Sequence, residues 1–240
     1  MGIVGGLATA MVLLSFVLSV IVSLPFFGGA KEVVFSPAFQ WMRVPAVGGF
    51  SGLDLNFRLA VDSLTSLMLL IITGVGSLIH LYSMGYMAND KGYARYFGYL
   101  NLFVFFMLLL VMGSNLIVTF VGWEGVGLAS YLLIGYWADR KSATDAGKKA
   151  FIVNRIGDAA FLVALFLIYK YFGTFELFGA EGILTRAAAE DWPTARDGSL
   201  YVGGALSAAA FVPFLMFIGA TGKSAQAPHN LREPDVERCL

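Results

Sequence analysis

The chain has 240 residues, of which 58% are hydrophobic and only 13% are charged, whereas a soluble domain carries about 25% charged residues. This composition excludes a soluble domain and predicts an all-α, polytopic transmembrane helical bundle. The net charge is zero, so bulk charge indicates no nucleic-acid partner, and the single Cys239 excludes an intramolecular disulfide or an all-cysteine metal site.

Six apolar windows are long enough to cross a bilayer, because about 20 residues at 1.5 Å each cover its hydrocarbon core. The predicted spans, within a membrane bundle of residues 1–226, are 4–25, 61–83, 97–113, 115–137, 150–172 and 202–222. The first apolar run has no positively charged residue before it and is longer than a signal-peptide core. We therefore interpret it as a span that is retained.

The segments between the spans carry turn and cap signals. Prolines and glycines cluster in 26–60, which predicts an ordered, non-cytoplasmic loop or hairpin. Residues 113–115, Gly-Ser-Asn, predict a tight turn between the third and fourth spans. Asp62 and Asp145 are predicted to cap the second and fifth spans. A short amphipathic helix is predicted around Phe175–Ala189.

Lysine and arginine are unevenly distributed among the loops. Loops 84–96 and 138–149 contain six of them in 25 residues, whereas loops 26–60 and 173–201 contain five in 64. Cytoplasmic loops carry the excess of positive residues. The denser side is therefore predicted to be cytoplasmic, and this orientation also places Met1 there.

One carboxylate, that of Glu124, lies inside the fourth predicted span, about 14 Å from its start and close to the membrane midplane. A charge at this depth costs ~2.5–3.5 kcal/mol on the insertion scale, so such residues usually face the bundle interior. Gly122, Gly125 and Gly127 remove side-chain bulk around it and would let another helix or a file of water approach. The residues alone leave open whether Glu124 is functional or a structural hydrogen-bonding group.

The fifth predicted span carries a second polar set. Arg155 and Asp158 are three residues apart and share a helical face, with Asn154 beside them. Asp158 lies about 12 Å in from Ala150. This pair is either a neutralised structural bridge or part of a functional network.

Lys223 follows Gly219, Thr221 and Gly222, which predict a broken helix near Lys223. Broken helices within membranes line cavities and are common at ion sites. A desolvated lysine in such a place is a candidate proton-exchanging group.

His80, near a helix end, is either a relay group or a structural histidine. The sequence contains no Cys/His cluster and no dinucleotide glycine fingerprint, so no metal or cofactor site is predicted.

The stretch around Glu124 resembles a known family. It reads FVGWEGVGLASYLLIG at 120–135 and is similar to the signature of the antiporter-like subunit L of NADH–quinone oxidoreductase (respiratory complex I, chain 5). Further segments resemble the same family in its order and spacing, across roughly residues 40–226: LIHLYSMGYM at 78–87, YFGYLNLF at 96–103, KAFIVNRIGD at 149–158 and GATGKSAQ at 219–226. The resemblance covers the N-terminal half of that family.

This resemblance implies a proton-translocating subunit with a partial antiporter-like repeat. Glu124 and Lys223 would form an interacting pair on neighbouring helices, and Asp158 would belong to the same buried network. Arg155 and His80 would be supporting residues. The implied partners are the lipid bilayer and the other membrane subunits of complex I, in the bacterial plasma (inner) membrane. NADH, FMN, iron–sulfur clusters and quinone would be bound by partner subunits, with no cofactor in this chain.

The chain departs from the family pattern at both ends. A further apolar helix is expected before residues 4–24, and residues 227–240 are polar and unlike the family. We interpret that tail as the product of a frameshift or a truncation. With such a tail Lys223 is expected near the cytoplasmic interface, and this chain alone is expected not to pump protons.

Two other hypotheses stay open. The first is the large subunit of a multisubunit sodium/proton antiporter or of a membrane-bound hydrogenase, which shares the Glu and Lys elements. The wording GLASYLLIG at 127–135 favours complex I. The second is a non-functional truncated fragment.

Overall fold

The computed structural model describes residues 2–29, 32–45, 52–188, 201–202 and 206–223. The predicted tail 227–240 lies outside the described residues. The helices are α1 Gly2–Phe27, α2 Ser63–Tyr86, α3 Tyr93–Met112, α4 Leu116–Ile134, α5 Lys141–Phe172, α6 Ile183–Ala188 and α7 Ala208–Lys223. The strands are β1 Val34–Phe35, β2 Phe39–Val44, β3 Leu53–Phe57, β4 Ala60–Val61, β5 Tyr201–Val202 and β6 Leu206–Ser207.

The architecture is the predicted helical membrane bundle. Helices α1 to α5 are each long and apolar enough to cross a membrane. The sixth predicted span forms α7, whose apolar part Ala210–Lys223 is shorter than the roughly 20 residues that a crossing needs. The bundle interior is formed mainly where α1 packs on α2, α3 on α4, and α5 on both α4 and α7.

Helix α5 begins at Lys141, nine residues before the predicted span, and the prediction that Asp145 caps it is wrong. Asp145 lies inside the helix instead. The added turns bury Ala143 and Ala146 against the bundle while their charged residues face outwards. An amphipathic pattern of this kind continues a helix beyond the apolar core, although the charges suggested a loop. The predicted amphipathic helix near Phe175–Ala189 is observed only as α6.

The prolines and glycines of segment 26–60 do accompany a hairpin. Strand β2 pairs antiparallel with β3, and β1 pairs antiparallel with β4. Trp41 packs edge-to-face on Phe57 across the β2–β3 ladder, with ring centroids 6.5 Å apart. The predicted Asp62 cap of α2 is confirmed, because its carboxylate accepts a 2.7 Å hydrogen bond from the Thr65 backbone N–H.

Asn115 connects the hairpin end of the protein to α4. Its side-chain oxygen accepts a 2.9 Å hydrogen bond from the Val118 N–H and thereby caps the helix. Its amide nitrogen donates a 2.7 Å hydrogen bond to the carbonyl of Asn56 in β3. Since Asn115 is 1% exposed, both partners would lose their hydrogen bonds in a buried place if the side chain were removed.

Next to this cap, the apolar ends of α4, α5 and α7 form the main core. It contains aromatic and aliphatic side chains from these three helices and from the segment after α5. Its buried members include Leu116, Phe161, Leu165, Ile168, Phe172, Phe175 and Val212. This core closes the hairpin end of the bundle against water.

Glu176 lies beside Asn115 at the edge of that core. It is half-buried, and burial raises the pKa of its carboxyl, while the nearby Arg58 guanidinium and a hydrogen bond from Asn115 partly oppose the increase. The folded protein therefore binds a proton at Glu176 more tightly than the unfolded chain does.

We predict that Asn115→Ala destabilises the protein by about 1 to 2 kcal/mol, because it removes a helix cap and leaves a buried carbonyl unpaired. Thermal unfolding in detergent micelles measures the change. The matched control is Asn89→Ala, since Asn89 is exposed in a turn. Equal unfolding temperatures for the two variants would contradict the role of the cap.

We also predict that stability falls as pH rises from about 4.5 through the raised pKa of Glu176, because the charged carboxylate is penalised in the folded state. Glu176→Gln should reduce this slope, and Glu181→Gln, at an exposed position, should leave it unchanged. Unfolding temperature measured against pH checks both variants. An identical slope in Glu176→Gln and the unmodified protein would disprove the assignment.

Candidate functional site

Three helices bring the predicted ionisable residues to the middle of the bundle. Trp123 and Glu124 lie seven and eight residues after the start of α4 at Leu116. Asp158 lies near the centre of the 32-residue α5, and Lys223 is the last residue of α7. The site is therefore about half-way along α4 and α5, where the end of α7 meets them.

Glu124 forms an ion pair with Arg155. The Arg155 guanidinium donates to a carboxylate oxygen of Glu124 across the α4–α5 interface. Glu124 is the more enclosed partner, with its side chain 21% exposed against 48% for Arg155. Arg155 also lies over the ring of Phe151, 4.7 Å from its centroid, a cation–π contact that supports the guanidinium in this position.

Lys223 and Asp158 form a second, more deeply buried pair. Their side chains are 16% and 3% exposed, and the Lys223 ammonium lies 3.9 Å from a carboxylate oxygen of Asp158. That separation allows charge attraction but exceeds a direct hydrogen bond. The ammonium donates its hydrogen bond to the backbone carbonyl of Trp123 and lies 4.8 Å from the centroid of the indole ring.

Trp123 is the site residue that the sequence reasoning missed. Its indole N–H donates a 2.5 Å hydrogen bond to the same carboxylate oxygen of Asp158 that faces Lys223. Its ring stacks on Phe161, with centroids 5.3 Å apart. A buried indole N–H generally requires an acceptor, and this requirement was the available signal, although it could not identify the acceptor.

The structure pairs Arg155 with Glu124 and Asp158 with Lys223, so the hypothesis of an Arg155–Asp158 bridge is wrong. The physical reason is helical geometry. Trp123 and Glu124 are consecutive, and consecutive side chains point about 100° apart. Trp123 therefore contacts Asp158 and Lys223, whereas the carboxylate of Glu124 is directed towards Arg155.

Glycines allow the helices to meet closely at this site. A Cβ on Gly127 would lie 3.0 Å from the Lys223 ammonium. A Cβ on Gly157 of α5 would lie 3.1 Å from the carbonyl oxygen of Gly219 and 3.3 Å from the Cα of Gly222. Side chains at these positions would push α7, and with it Lys223, away from α4 and α5.

This packing changes two expectations about Lys223. Gly219 and Gly222 do not interrupt α7, which is continuous to Lys223. Any break would lie beyond Lys223, among residues outside those described. The ammonium reaches Trp123 and Asp158 in the middle of the spans, so the expectation of a place near the membrane interface is wrong.

Gly122 and Gly125 belong to a different contact. A Cβ on Gly122 would lie 2.4 Å from the backbone nitrogen of Leu110, and one on Gly125 would lie 2.0 Å from the ring of Phe106. Both therefore admit α3, whereas Gly127 admits the lysine. The prediction that these glycines allow close approach is confirmed.

His80 lies outside this site. It is fully buried on α2, and its Nδ1 is 2.7 Å from the carbonyl oxygen of Gly76.

In the part of the chain that the structure describes, no group of three or more His, Cys, Asp or Glu side chains is arranged to hold a metal ion. The site thus contains two ion pairs, Arg155–Glu124 and Lys223–Asp158, of which the second is the more deeply buried.

Two family models match the sequence. One, described as "NADH:quinone oxidoreductase/Mrp antiporter, TM", matches residues 113–238. The other, described as "NADH-Ubiquinone oxidoreductase (complex I), chain 5 N-terminus", matches residues 48–97. The first match covers more than half of the chain and includes Glu124, Asp158 and Lys223.

Similar proteins include the NADH-quinone oxidoreductase subunits L of two bacteria. The protein from Mycobacterium tuberculosis (strain H37Rv) is 45% identical over 83% of this chain and 28% of its own length. The protein from Neisseria meningitidis serogroup A is 38% identical over 93% of this chain and 32% of its own length. The chain thus spans about a third or less of the length of these relatives.

A solved structure, the Mrp complex from Dietzia sp. DQ12-45-1b, resembles this fold with a TM-score of 0.68. The alignment covers 98% of this chain and 25% of that chain, at 23% sequence identity. The likeness supports the antiporter-like helical arrangement. With the family match, the chain belongs to the NADH:quinone oxidoreductase/Mrp antiporter transmembrane family.

Proposed function

We propose that this chain is part of a proton-translocating membrane subunit of an NADH–quinone oxidoreductase, in which Lys223, Asp158 and Glu124 carry the proton transfer. The observation that supports the proposal is the Lys223 ammonium inside the bundle, between the carbonyl of Trp123 and the carboxylate of Asp158. Ionisable groups buried within membrane spans mark proton and ion pathways by default.

The contacts of Lys223 stabilise its protonated form. Asp158 supplies the counter-charge, and the carbonyl and ring of Trp123 supply a hydrogen bond and a cation–π contact. At 3.9 Å the lysine and the carboxylate interact without a direct hydrogen bond. A small movement of α7 would therefore change the attraction strongly in a low-dielectric place. Moving Lys223 away from Asp158 favours release of its proton to water, and moving it back favours uptake.

Glu124 and Arg155 would set the local charge beside this pair. Their ion pair lies across the same α4–α5 interface, one residue along α4 from Trp123. When Arg155 engages Glu124, the carboxylate is neutralised. When the pair separates, Glu124 adds a negative charge near Lys223 and favours its protonation. The proposal thus gives Glu124 a modulating role and Arg155 the role of its counter-ion.

Electron transfer would take place elsewhere in the assembly. Under this proposal NADH, FMN, iron–sulfur clusters and quinone are bound by partner subunits, and this chain contributes no redox step. The chain would lie in a bacterial plasma membrane beside other antiporter-like membrane subunits. The side rich in lysine and arginine, which includes the start of α5, would face the cytoplasm together with Met1.

A second candidate is sodium/proton exchange as part of a multisubunit antiporter. It is favoured by the family description, which names the Mrp antiporter, and by the structural likeness to an Mrp complex. The two functions differ in their driving force, since one is driven by NADH oxidation and the other by a sodium gradient.

We predict that Lys223→Met lowers proton uptake about tenfold or more, because it removes the proton-exchanging amine from the pair. The test uses proteoliposomes that carry the purified complex containing this chain, with a pH-sensitive dye inside. NADH plus quinone drives one set of vesicles, and an imposed sodium gradient drives the other.

The matched control is Lys148→Met on the same assembly, since Lys148 is exposed and pairs with the neighbouring Asp145. It should leave proton uptake unchanged. NADH oxidation in the presence of an uncoupler verifies that each variant is assembled. Full NADH-driven uptake by Lys223→Met would contradict the proposed site, and uptake driven only by sodium would favour the antiporter.

A further inference from the structure

The buried face of α2 is unusually polar for a membrane helix. Six of its seven buried residues carry hydroxyl or imidazole groups; the seven are Thr65, Ser66, Leu69, Thr73, Ser77, His80 and Ser83. Helix α1, which packs against α2, buries three hydroxyl residues of its own, Thr9, Ser19 and Ser23. We call these buried polar residues of α1 and α2 the polar seam; on α2, Thr65, His80 and Ser83 also contact α3. It is separate from the Lys223 site on α4, α5 and α7.

His80 is the ionisable residue of the polar seam. Its Nδ1 lies 2.7 Å from the carbonyl oxygen of Gly76, and because a carbonyl can only accept, Nδ1 must be the protonated donor. In the neutral ring the other nitrogen, Nε2, is then an acceptor. Among the described residues it has no hydrogen-bond partner, although the residue is fully buried.

Thr9 of α1 lies at about the same level of the bundle as His80. The two helices are antiparallel neighbours, and Val12 of α1 meets Gly76 of α2, where an added Cβ would lie 3.7 Å from the valine. One turn from that contact, α1 reaches Thr9 and α2 reaches His80, at the same level. Thr9 is 4% exposed, and its hydroxyl also lacks a partner among the described residues. Two buried polar groups without a partner among the described residues thus lie at the same level on neighbouring helices.

Further hydroxyl groups lie between His80 and the basic end of the bundle, which is the end with the lysine- and arginine-rich loops 84–96 and 138–149. Ser83 follows one turn later on α2, and its hydroxyl is 3.3 Å from that of Tyr96 on α3. The ring of Tyr96 packs on Tyr136, which donates a 2.6 Å hydrogen bond to Asp90 in the loop after α2. His80 lies six residues before the end of α2, about 9 Å along the helix axis.

Close packing alone does not account for His80. Small residues such as Gly76 do allow membrane helices to approach, but an imidazole is large and its unpaired acceptor is costly to bury. Water is the usual partner of buried polar groups that lack a protein partner.

We propose that the polar seam is a second proton-exchanging site, in which water held by the Thr9 hydroxyl and His80 Nε2 connects the imidazole to the basic end through Ser83 and Tyr96.

The ionisable neighbours of His80 are few. Helix α1 contains none between Gly2 and Phe27, and α3 contributes Tyr93 and Tyr96 from its first turn. Asp90 lies in the loop after α2. The inference is independent of the role proposed for Lys223.

The chain has two histidines, His80 and His229, so His229→Gln leaves His80 as the only histidine. The experiment follows exchange of the His80 ring N–H with water by ¹⁵N NMR, using the labelled chain in lipid nanodiscs. The internal reference is the backbone N–H of Thr73, a fully buried residue on the same helix. No transport is measured, so failure here is distinguishable from failure of the proposed function.

We expect the ring N–H to exchange at least tenfold faster than the Thr73 amide. Thr9→Val and Ser83→Ala should each slow ring exchange at least tenfold, whereas Thr144→Val, at an outward-facing hydroxyl on α5, should not. Exchange no faster than the Thr73 amide would overturn the proposal. Fast exchange that survives both Thr9→Val and Ser83→Ala would also overturn it, because the proton would then reach His80 by another route.

Discussion

The placement of one ammonium group inside the bundle explains much of the structure around it. Lys223 lies where water is scarce, so its charge requires both a counter-charge and a hydrogen-bond acceptor. Asp158 and the carbonyl of Trp123 supply them. These contacts require α7 to approach α4 and α5 closely, which explains the glycines at positions 127 and 157. The same closeness explains why α7 remains a helix through Gly219 and Gly222.

Composition and motif predicted the fold class and most spans, because apolar length and turn residues act locally. The cap at Asp62 and the turn before Asn115 were predictable for the same reason. The start of α5 at Lys141 could not be predicted in this way. Its first turns carry charges that resemble a loop, and only the burial of Ala143 and Ala146 against neighbouring helices shows why they are helical.

The sequence also identified the ionisable residues of the site but not their partners. Charge pairing depends on how helices are rotated about their axes, and spacing within one helix does not contain that information. Thus Arg155 and Asp158, although on one face of α5, bind residues of different helices. Trp123 was missed because its contribution comes from an indole N–H and a carbonyl, which no charge pattern reveals.

The described bundle contains two polar regions with different chemistry. The Lys223 site on α4, α5 and α7 combines formal charges of opposite sign, whereas the polar seam of α1 and α2 is formed by hydroxyls and one imidazole. Aromatic and aliphatic side chains near Phe161 and Phe172 close the hairpin end above the charged site.

The most direct test of the account is the distance between the Lys223 ammonium and the Asp158 carboxylate in a lipid membrane. Rotational-echo NMR on protein labelled with ¹⁵N at lysine Nζ and ¹³C at aspartate Cγ measures it, with Asp158→Asn to assign the signal. The account predicts strong dephasing between Nζ and the Cγ whose Oδ1 lies 3.9 Å from Nζ, and its loss in the variant. The absence of such dephasing in the unmodified protein would place Lys223 outside the bundle interior and contradict the account.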